Sequence, residues 1–250
     1  MNILGIIPAR YASTRFPGKP LADIGGKSMI QRVYEQASKA FPLVYVATDD
    51  KRIFNAVELF GGNVIMTSPD HCSGTDRCAE AVVKIQQQQN CVFDIVVNVQ
   101  GDEPFIAPEQ LLQLTECFLT PEVQIATLVK PFAADEDIFN INTPKVVLNK
   151  NGEAMYFSRS VIPFVRNAET DEWQNKATYY KHIGLYAYRV SVLLQLAQLP
   201  PSSLERSENL EQLRWLENGF RIQTAITHFV THAVDTPEDL QKLMNEKNNK

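Results

Sequence analysis

Through the first hundred residues, short apolar runs rich in β-branched side chains alternate with amphipathic stretches, and this alternation is the strongest constraint on the fold. The runs occupy residues 3–7, 44–47, 64–66 and 95–99. Between them, residues 51–60 place Ile53, Phe54, Val57 and Phe60 on one helical face, and Gly61-Gly62 stops the helix. Residues 75–89 read as a further helix whose glutamine run, 86–89, is a solvated end. Strands alternating with helices imply a mainly parallel sheet covered on both faces.

The second half is organised differently. Residues 145–149 and 154–158 flank Lys150-Asn151-Gly152, a hairpin signal. Residues 166–178 are polar and read as a mobile loop, and 181–188 as another strand. Helices are expected near 190–199 and over 208–218, the latter capped by Ser207 and stopped by Gly219. Thr236-Pro237-Glu238-Asp239 opens a last helix, with proline at its first position and acids in its first turn. No repeat or linker interrupts the 250 residues, so a single domain with an antiparallel extension at about 130–190 is the economical organisation.

A net charge of −5 argues against a general nucleic-acid binder, which needs a broad basic face. Locally the balance reverses: residues 1–27 hold Arg10, Arg15, Lys19 and Lys27 against Asp23 alone, which suits a small anion. The N-terminal stretch ILGIIPA is too short for a secretory core and lacks a basic leader, and no apolar run approaches membrane-spanning length. A cytoplasmic protein with no membrane partner is expected. Cys72, Cys78, Cys91 and Cys117 form no C-x-x-C pair and read as reduced thiols, and four scattered histidines make a zinc cluster unattractive.

The stretch IIPARYASTRFPGKPL, residues 6–21, carries the chemistry. Gly26-Lys27-Ser28 invites comparison with a phosphate-binding Walker loop, but the glycine needed five residues earlier is Leu21. Pro17 and Pro20 also exclude a central strand immediately upstream, and no G-x-G-x-x-G is present. What remains is a proline-stiffened loop leaving the carboxyl end of the first strand, where open α/β sheets bind ligands. Arg10, Arg15 and Lys19 there match a triphosphate's charge; the alternative is a solvated loop whose cations pair with nearby acids.

The same stretch resembles the signature loop of the sugar-activating nucleotidyltransferases, most closely the family that couples CTP to 3-deoxy-manno-octulosonate (Kdo). The resemblance continues in order through VATDD, SGTDRCAE, VNVQGDEPFI, AMYFSRSVIPF, KHIGLYAYR, LEQLRWLENG and VDTPEDL, nearly the whole chain. It implies a Rossmann-like nucleotidyltransferase fold: a mostly parallel mixed sheet, helices on both faces and an antiparallel hairpin extension. It further implies CMP-Kdo and diphosphate as products, a place in lipopolysaccharide biosynthesis, and a homodimer joined near the hairpin. An 8-amino Kdo analogue or another 2-keto sugar acid is the alternative substrate. A glycosyltransferase would not need the cationic loop, and a nucleotide sensor would not need two metal-binding acids.

Nucleotidyl transfer brings together a hydroxyl, an α-phosphate and a departing diphosphate, all negative, and a carboxylate-held Mg²⁺ neutralises them. Asp102 follows a strand's carboxyl end, and Asp235 precedes a helix already capped by Thr236. An Asx turn and a helix cap are the respective alternatives. By resemblance, Asp102 and Asp235 are the magnesium ligands, and with Arg10 and Lys19 they form the catalytic set. Ala9, Ser73, Gly74 and Thr75 would meet the base, with Arg10, Arg15 and Lys19 on the phosphates. Arg77, Gln100, Arg159, His182, Tyr186, Glu211 and Gln212 would take the sugar acid. From the residues alone, His182 and Tyr186 share one face of their strand, while Glu211 and Gln212 flank the stripe of Leu210, Leu213 and Leu216. A packing histidine and a solvated helix edge are the alternatives.

Overall fold

A computed structural model describes residues 1–12, 16–229, 233–234 and 236–248, with the backbone alone for 243 and 245–248. In chain order the elements are β1 (Ile3–Ala9), α1 (Met29–Ala40), β2 (Val44–Thr48), α2 (Lys51–Leu59), β3 (Val64–Met66), α3 (Gly74–Gln89), β4 (Ile95–Asn98) and α4 (Pro108–Glu116). There follow β5 (Ile125–Pro131), β6 (Lys145–Leu148), β7 (Ala154–Ser158), α5 (Trp173–Lys176), β8 (Tyr180–Arg189), α6 (Val190–Leu196), α7 (Ser203–Glu208), α8 (Gln212–Glu217), β9 (Ile222–Ile226) and α9 (Pro237–Asn248). The chain divides into two compact units. One comprises Met1–Leu112, Ala187–Ala197 and Phe229–Lys250, the other Gln113–Tyr186 and Gln198–His228.

In the first unit four parallel strands lie in the order β3-β2-β1-β4. Every residue of β2 and β4 is buried, the signature of strands covered on both faces. α1 has a local cause: Ser28 accepts a hydrogen bond from the amide of Gln31 at the N-terminus, and Met29, Ile30, Val33 and Ala37 form the buried stripe. Burying each of the larger three contributes roughly 1.5–3 kcal/mol. Lys27 points its ammonium at Glu35 of the same helix, 2.7 Å away, so the Walker-like triplet is a helix entry. α9 opens as expected, with Thr236 accepting from the Asp239 amide and the Asp239 carboxylate accepting from the Thr236 amide.

In the second unit β8, β5 and β9 are neighbours, with β5 and β9 parallel; β6 pairs antiparallel with both β7 and β8. The expected hairpin is therefore present as β6–β7. Lys145 of β6 is fully buried, and its ammonium donates to three main-chain carbonyls: Asn140 at 2.9 Å, Thr143 at 3.0 Å and Arg159 at 2.7 Å. Those bonds offset the desolvation of the charge and pin three segments to one point.

Two expectations are corrected here. The segment 166–178 is a structured element: a 3₁₀ turn at Thr170–Glu172 leads into α5, and Trp173 packs with Ile138 and Tyr179 in a local core. The single helix over 208–218 is two helices, with Asn209 between them at φ 52, ψ 50 in the left-handed region. Ser207 is not the cap; Ser202 is, through a reciprocal capping box with Glu205. Glu205 also receives the guanidinium of Arg214, at 2.5 and 2.8 Å, which ties α7 to α8.

The left-handed turn yields a test. A β-branched side chain is strained there, so Asn209→Val is expected to lower unfolding free energy by about 1–2 kcal/mol, whereas Asn209→Gly changes it by a few tenths. Urea unfolding of the two variants checks this.

Candidate functional site

Because β1 and β4 are adjacent and parallel, the loops that follow them leave the same edge of the first unit. β1 ends through Pro8 and Ala9, and the loop that begins at Arg10 is closed by a hydrogen bond from the Gly18 amide to the Tyr11 carbonyl, 3.0 Å. Gly18 sits at φ 72, and a Cβ there would lie 3.1 Å from the Tyr11 ring, so no other residue type fits without strain. The Arg52 guanidinium stacks 3.3 Å from the centre of that ring, and Asp50 holds it with bonds of 2.6 and 2.9 Å.

After β4 the chain turns through Gln100, Gly101 and Asp102. A Cβ on Gly101 would come 3.1 Å from the Pro8 carbonyl oxygen, which shows how closely the two loops approach. The Lys19 ammonium bridges them, donating to Asp102 Oδ2 at 2.8 Å and to the Val234 carbonyl at 3.0 Å. Val234 in turn donates its amide to the Asp102 carbonyl, 2.9 Å, and buries its side chain against Ile24 and Met29. Three segments distant in sequence thus meet around one ammonium.

The start of α3 supplies the remaining wall. Ser73 caps the helix by accepting from the Asp76 amide, and His71, Cys72, Ser73 and Gly74 face a cavity of about 300 Å³. Ala9, Arg10, Lys19, Arg77, Gln100 and Asp102 line the same cavity, together with Pro8, Pro20 and Gly101. The structure therefore gathers most of the expected nucleotide-side residues. Thr75 lies buried in the first turn of α3 behind that wall. Arg15 and Asp235 lie outside the described residues. Arg77 is buried and engaged: it donates to Thr67 Oγ1 at 2.6 Å and lies 3.5 Å from Asp49, so much of its charge braces the wall. Sequence reasoning missed His71 and Cys72, although they immediately precede the Ser73-Gly74-Thr75 stretch it singled out.

Asp102 projects its carboxylate into the cavity region, a quarter exposed, while its neighbour Glu103 is buried. Burial, reinforced by the negative charge of Asp102, raises the Glu103 carboxyl from 4.5 to about 7. Glu103 is therefore a buried acid that keeps its proton well past the usual carboxylate range and titrates near neutral pH. Among the described residues, no group of three or more His, Cys, Asp or Glu is placed to hold a metal ion.

The second unit holds the other expected group. His182 and Tyr186 lie on one face of β8 with ring centres 5.3 Å apart, and Tyr186 meets Trp215 of α8 edge-on at 4.9 Å. Burial lowers His182 to about 3, which keeps it neutral, and Thr127 Oγ1 lies 3.1 Å from its Nε2. Burial, with Glu211 nearby, raises the Tyr186 hydroxyl well above its ordinary value. Gln212 is buried and its side-chain nitrogen has no partner among the described residues. Leu216 is only half-buried; Leu213 and Trp215 anchor α8 instead. Arg159 donates to the carbonyls of Glu208, Asn209 and Ile141, at 2.6, 3.2 and 3.0 Å, just before the turn that carries Glu211.

Residues 4–223 match the family described as Cytidylyltransferase. The chain is 60% identical over 248 residues to a 3-deoxy-manno-octulosonate cytidylyltransferase of Parabacteroides distasonis, covering 98% of this chain and 97% of that one. It is 62% identical over 244 residues to the protein of the same name from Bacteroides thetaiotaomicron, covering 96% of each. A solved structure of CMP:2-keto-3-deoxy-manno-octonic acid synthetase complexed with CTP superimposes with a TM-score of 0.90 at 44% identity, covering 100% of this chain and 99% of the other.

The raised Glu103 carboxyl sets a pH dependence. A folded value above the unfolded one means that the native state keeps the proton longer, so this group's contribution is fully favourable below about pH 4.5 and lost as pH rises through about 7. Glu103→Gln removes that loss. In chelator-treated protein it should raise unfolding free energy by about 3 kcal/mol at pH 8 relative to its effect at pH 4.5, measured by urea denaturation at both values.

Proposed function

This chain belongs to the family of 3-deoxy-manno-octulosonate cytidylyltransferases, and on that premise we propose how its residues divide the work. The reaction joins CTP and Kdo to give CMP-Kdo and diphosphate. The observation that carries the assignment of roles is the Lys19–Asp102 pair, set in the wall of the first unit's cavity with Arg10 beside it. A cavity lined by Arg10, Lys19 and the wall-bracing Arg77, with one accessible carboxylate, suits a triphosphate and its counter-ion.

In this reading Arg10, Arg15 and Lys19 grip the triphosphate. Ala9, Ser73, Gly74 and Thr75 serve the base, and the short side chains before α3 let main-chain groups approach it. Arg77, Gln100, Arg159, His182, Tyr186, Glu211 and Gln212 serve the sugar acid. The neutral His182 and the buried Tyr186 hydroxyl suit hydroxyl recognition, and Arg159 is the cation for the carboxylate. One domain housing both units, a cytoplasmic setting and a homodimer complete the proposal. The homodimer is supported by apolar side chains exposed around the hairpin: Ile141, Met155 and Phe164 are 64%, 63% and 73% exposed.

Magnesium fits the donor set. Asp102 commits Oδ2 to Lys19, while Oδ1 has no recorded partner among the described residues, and such ions need only one or two carboxylates beside substrate oxygens. Asp102 would hold it with Asp235, whose predecessor Val234 is bonded to Asp102. Bound there, the ion would neutralise charge on the phosphates undergoing transfer. Lys19 also holds the Asp102 carboxylate and the Val234 carbonyl in fixed relation, so the site is ordered before substrate arrives. Alignment of the Kdo hydroxyl with the α-phosphorus needs no covalent protein intermediate.

Asp102→Ala and Lys19→Ala are each expected to lower turnover about 10²–10³-fold at saturating magnesium, measured as diphosphate release. Near-normal turnover by either would withdraw these roles. Across CTP, UTP and ATP, offered with Kdo, its 8-amino analogue or a sialic acid, the highest kcat/KM is expected for CTP with Kdo.

A further inference from the structure

His71 belongs to the cavity wall yet to none of the roles above, and its surroundings constrain its chemistry closely. Its Nε2 is bonded to Glu80 Oε2, nine residues along on α3. The same Oε2 accepts the Ser68 amide at 2.9 Å, and Oε1 accepts the Lys84 ammonium at 2.5 Å. Burial opposes ionisation of Glu80, but Lys84, Ser68 and His71 outweigh it and hold the carboxyl at about 2. Glu80 is therefore a carboxylate throughout the working range, and a carboxylate only accepts hydrogen bonds. In the neutral ring the single proton must then sit on Nε2, which leaves Nδ1 as an acceptor; this tautomer is assigned from Glu80. No hydrogen bond to Nδ1 is recorded among the described residues, and the side chain is one-fifth exposed at the cavity.

An acceptor at this place is selective. It repels phosphate oxygens, so it does not belong to the triphosphate grip of Arg10 and Lys19. It stands two residues before Ser73-Gly74, on the loop assigned above to the base, and its proposed role rests on that assignment. Cytosine and uracil differ at the exocyclic position of the base: cytosine carries an amine, a donor, where uracil carries a carbonyl, an acceptor. We propose that His71 is a specificity-determining residue that accepts a hydrogen bond from the exocyclic amine of CTP, with Glu80 as the positioning residue that fixes its tautomer. The imidazole acceptor rejects uracil, whose carbonyl would face a lone pair.

The test compares kcat/KM for CTP and UTP, with Kdo as second substrate, in the wild type, His71→Ala and Glu80→Gln. In His71→Ala the CTP value should fall about tenfold or more while the UTP value holds or rises, because only CTP loses a bond. In Glu80→Gln a carboxamide can donate to Nε2 and let the proton move to Nδ1, so the CTP/UTP ratio should shrink by a similar factor with UTP gaining in absolute terms. A merely structural role would lower both nucleotides equally. Should Glu80→Gln fold poorly, ¹⁵N chemical shifts of His71 in the wild type decide: an unprotonated Nδ1 that shifts with CTP and not with UTP supports the proposal. Equal losses for both nucleotides, or a protonated Nδ1 in the neutral ring, overturn it. Wild-type protein that fails to turn over CTP with Kdo would instead remove the parent reading; intact wild-type turnover with an unchanged CTP/UTP ratio in both variants removes this inference alone.

Discussion

One ammonium organises the first unit's functional edge. Lys19 donates to the Asp102 carboxylate and the Val234 carbonyl, and Val234 returns a bond to the Asp102 main chain. Without it, a carboxylate would face a cavity flanked by loops with no common fastening, and the close approach of Gly101 to Pro8 would lack its lateral restraint. The same ion pair is only partly exposed, so its attraction is less screened than a surface pair's, and it balances the charge of Asp102. The loop that carries Lys19 needs no nest of glycines because Pro17, Gly18 and Pro20 set its path and Tyr11, stacked under Arg52, anchors its base.

Much of this was legible in the sequence, where the governing forces are local. α1 has local causes that can be read from its residues: Ser28 caps it through its third neighbour and its apolar stripe has helical period. Arg10, Lys19 and Asp102 were legible because each follows the carboxyl end of a readable strand, and Ser73 and Gly74 joined them through the family resemblance. Their convergence on one cavity follows from the parallel pairing of β1 with β4. His71 escaped notice because a lone histidine in a loop carries no sequence signal; Glu80, which gives it meaning, sits on the next helix.

The misreadings have two causes: local backbone signals that apolar periodicity does not carry, and contacts between residues far apart in sequence. The apolar spacing of Leu210, Leu213 and Leu216 suggested one helix, but periodicity says nothing of a left-handed residue at Asn209. The S-x-x-E pattern of Ser202 and Glu205 was the local signal that marks the true start of α7. Residues 166–178 look like a solvated loop by composition, but Ile138 and Tyr179, with Phe139 and Phe164 against the ring, turn Trp173 inward. β5 and β9 were not read as strands, since each completes its pairing only with a partner nearly a hundred residues away.

The fastening at Lys19 spans 83 residues to Asp102 and 215 to Val234. During synthesis, chains emerge amino end first and fold as they go. The strands β1 to β4 can therefore assemble early on the ribosome, whereas the fastening closes only after Val234 has emerged. Until the segment carrying Val234 arrives, the loops after β1 and β4 lack the fastening that joins them, so the order of synthesis sets the order in which this edge becomes firm.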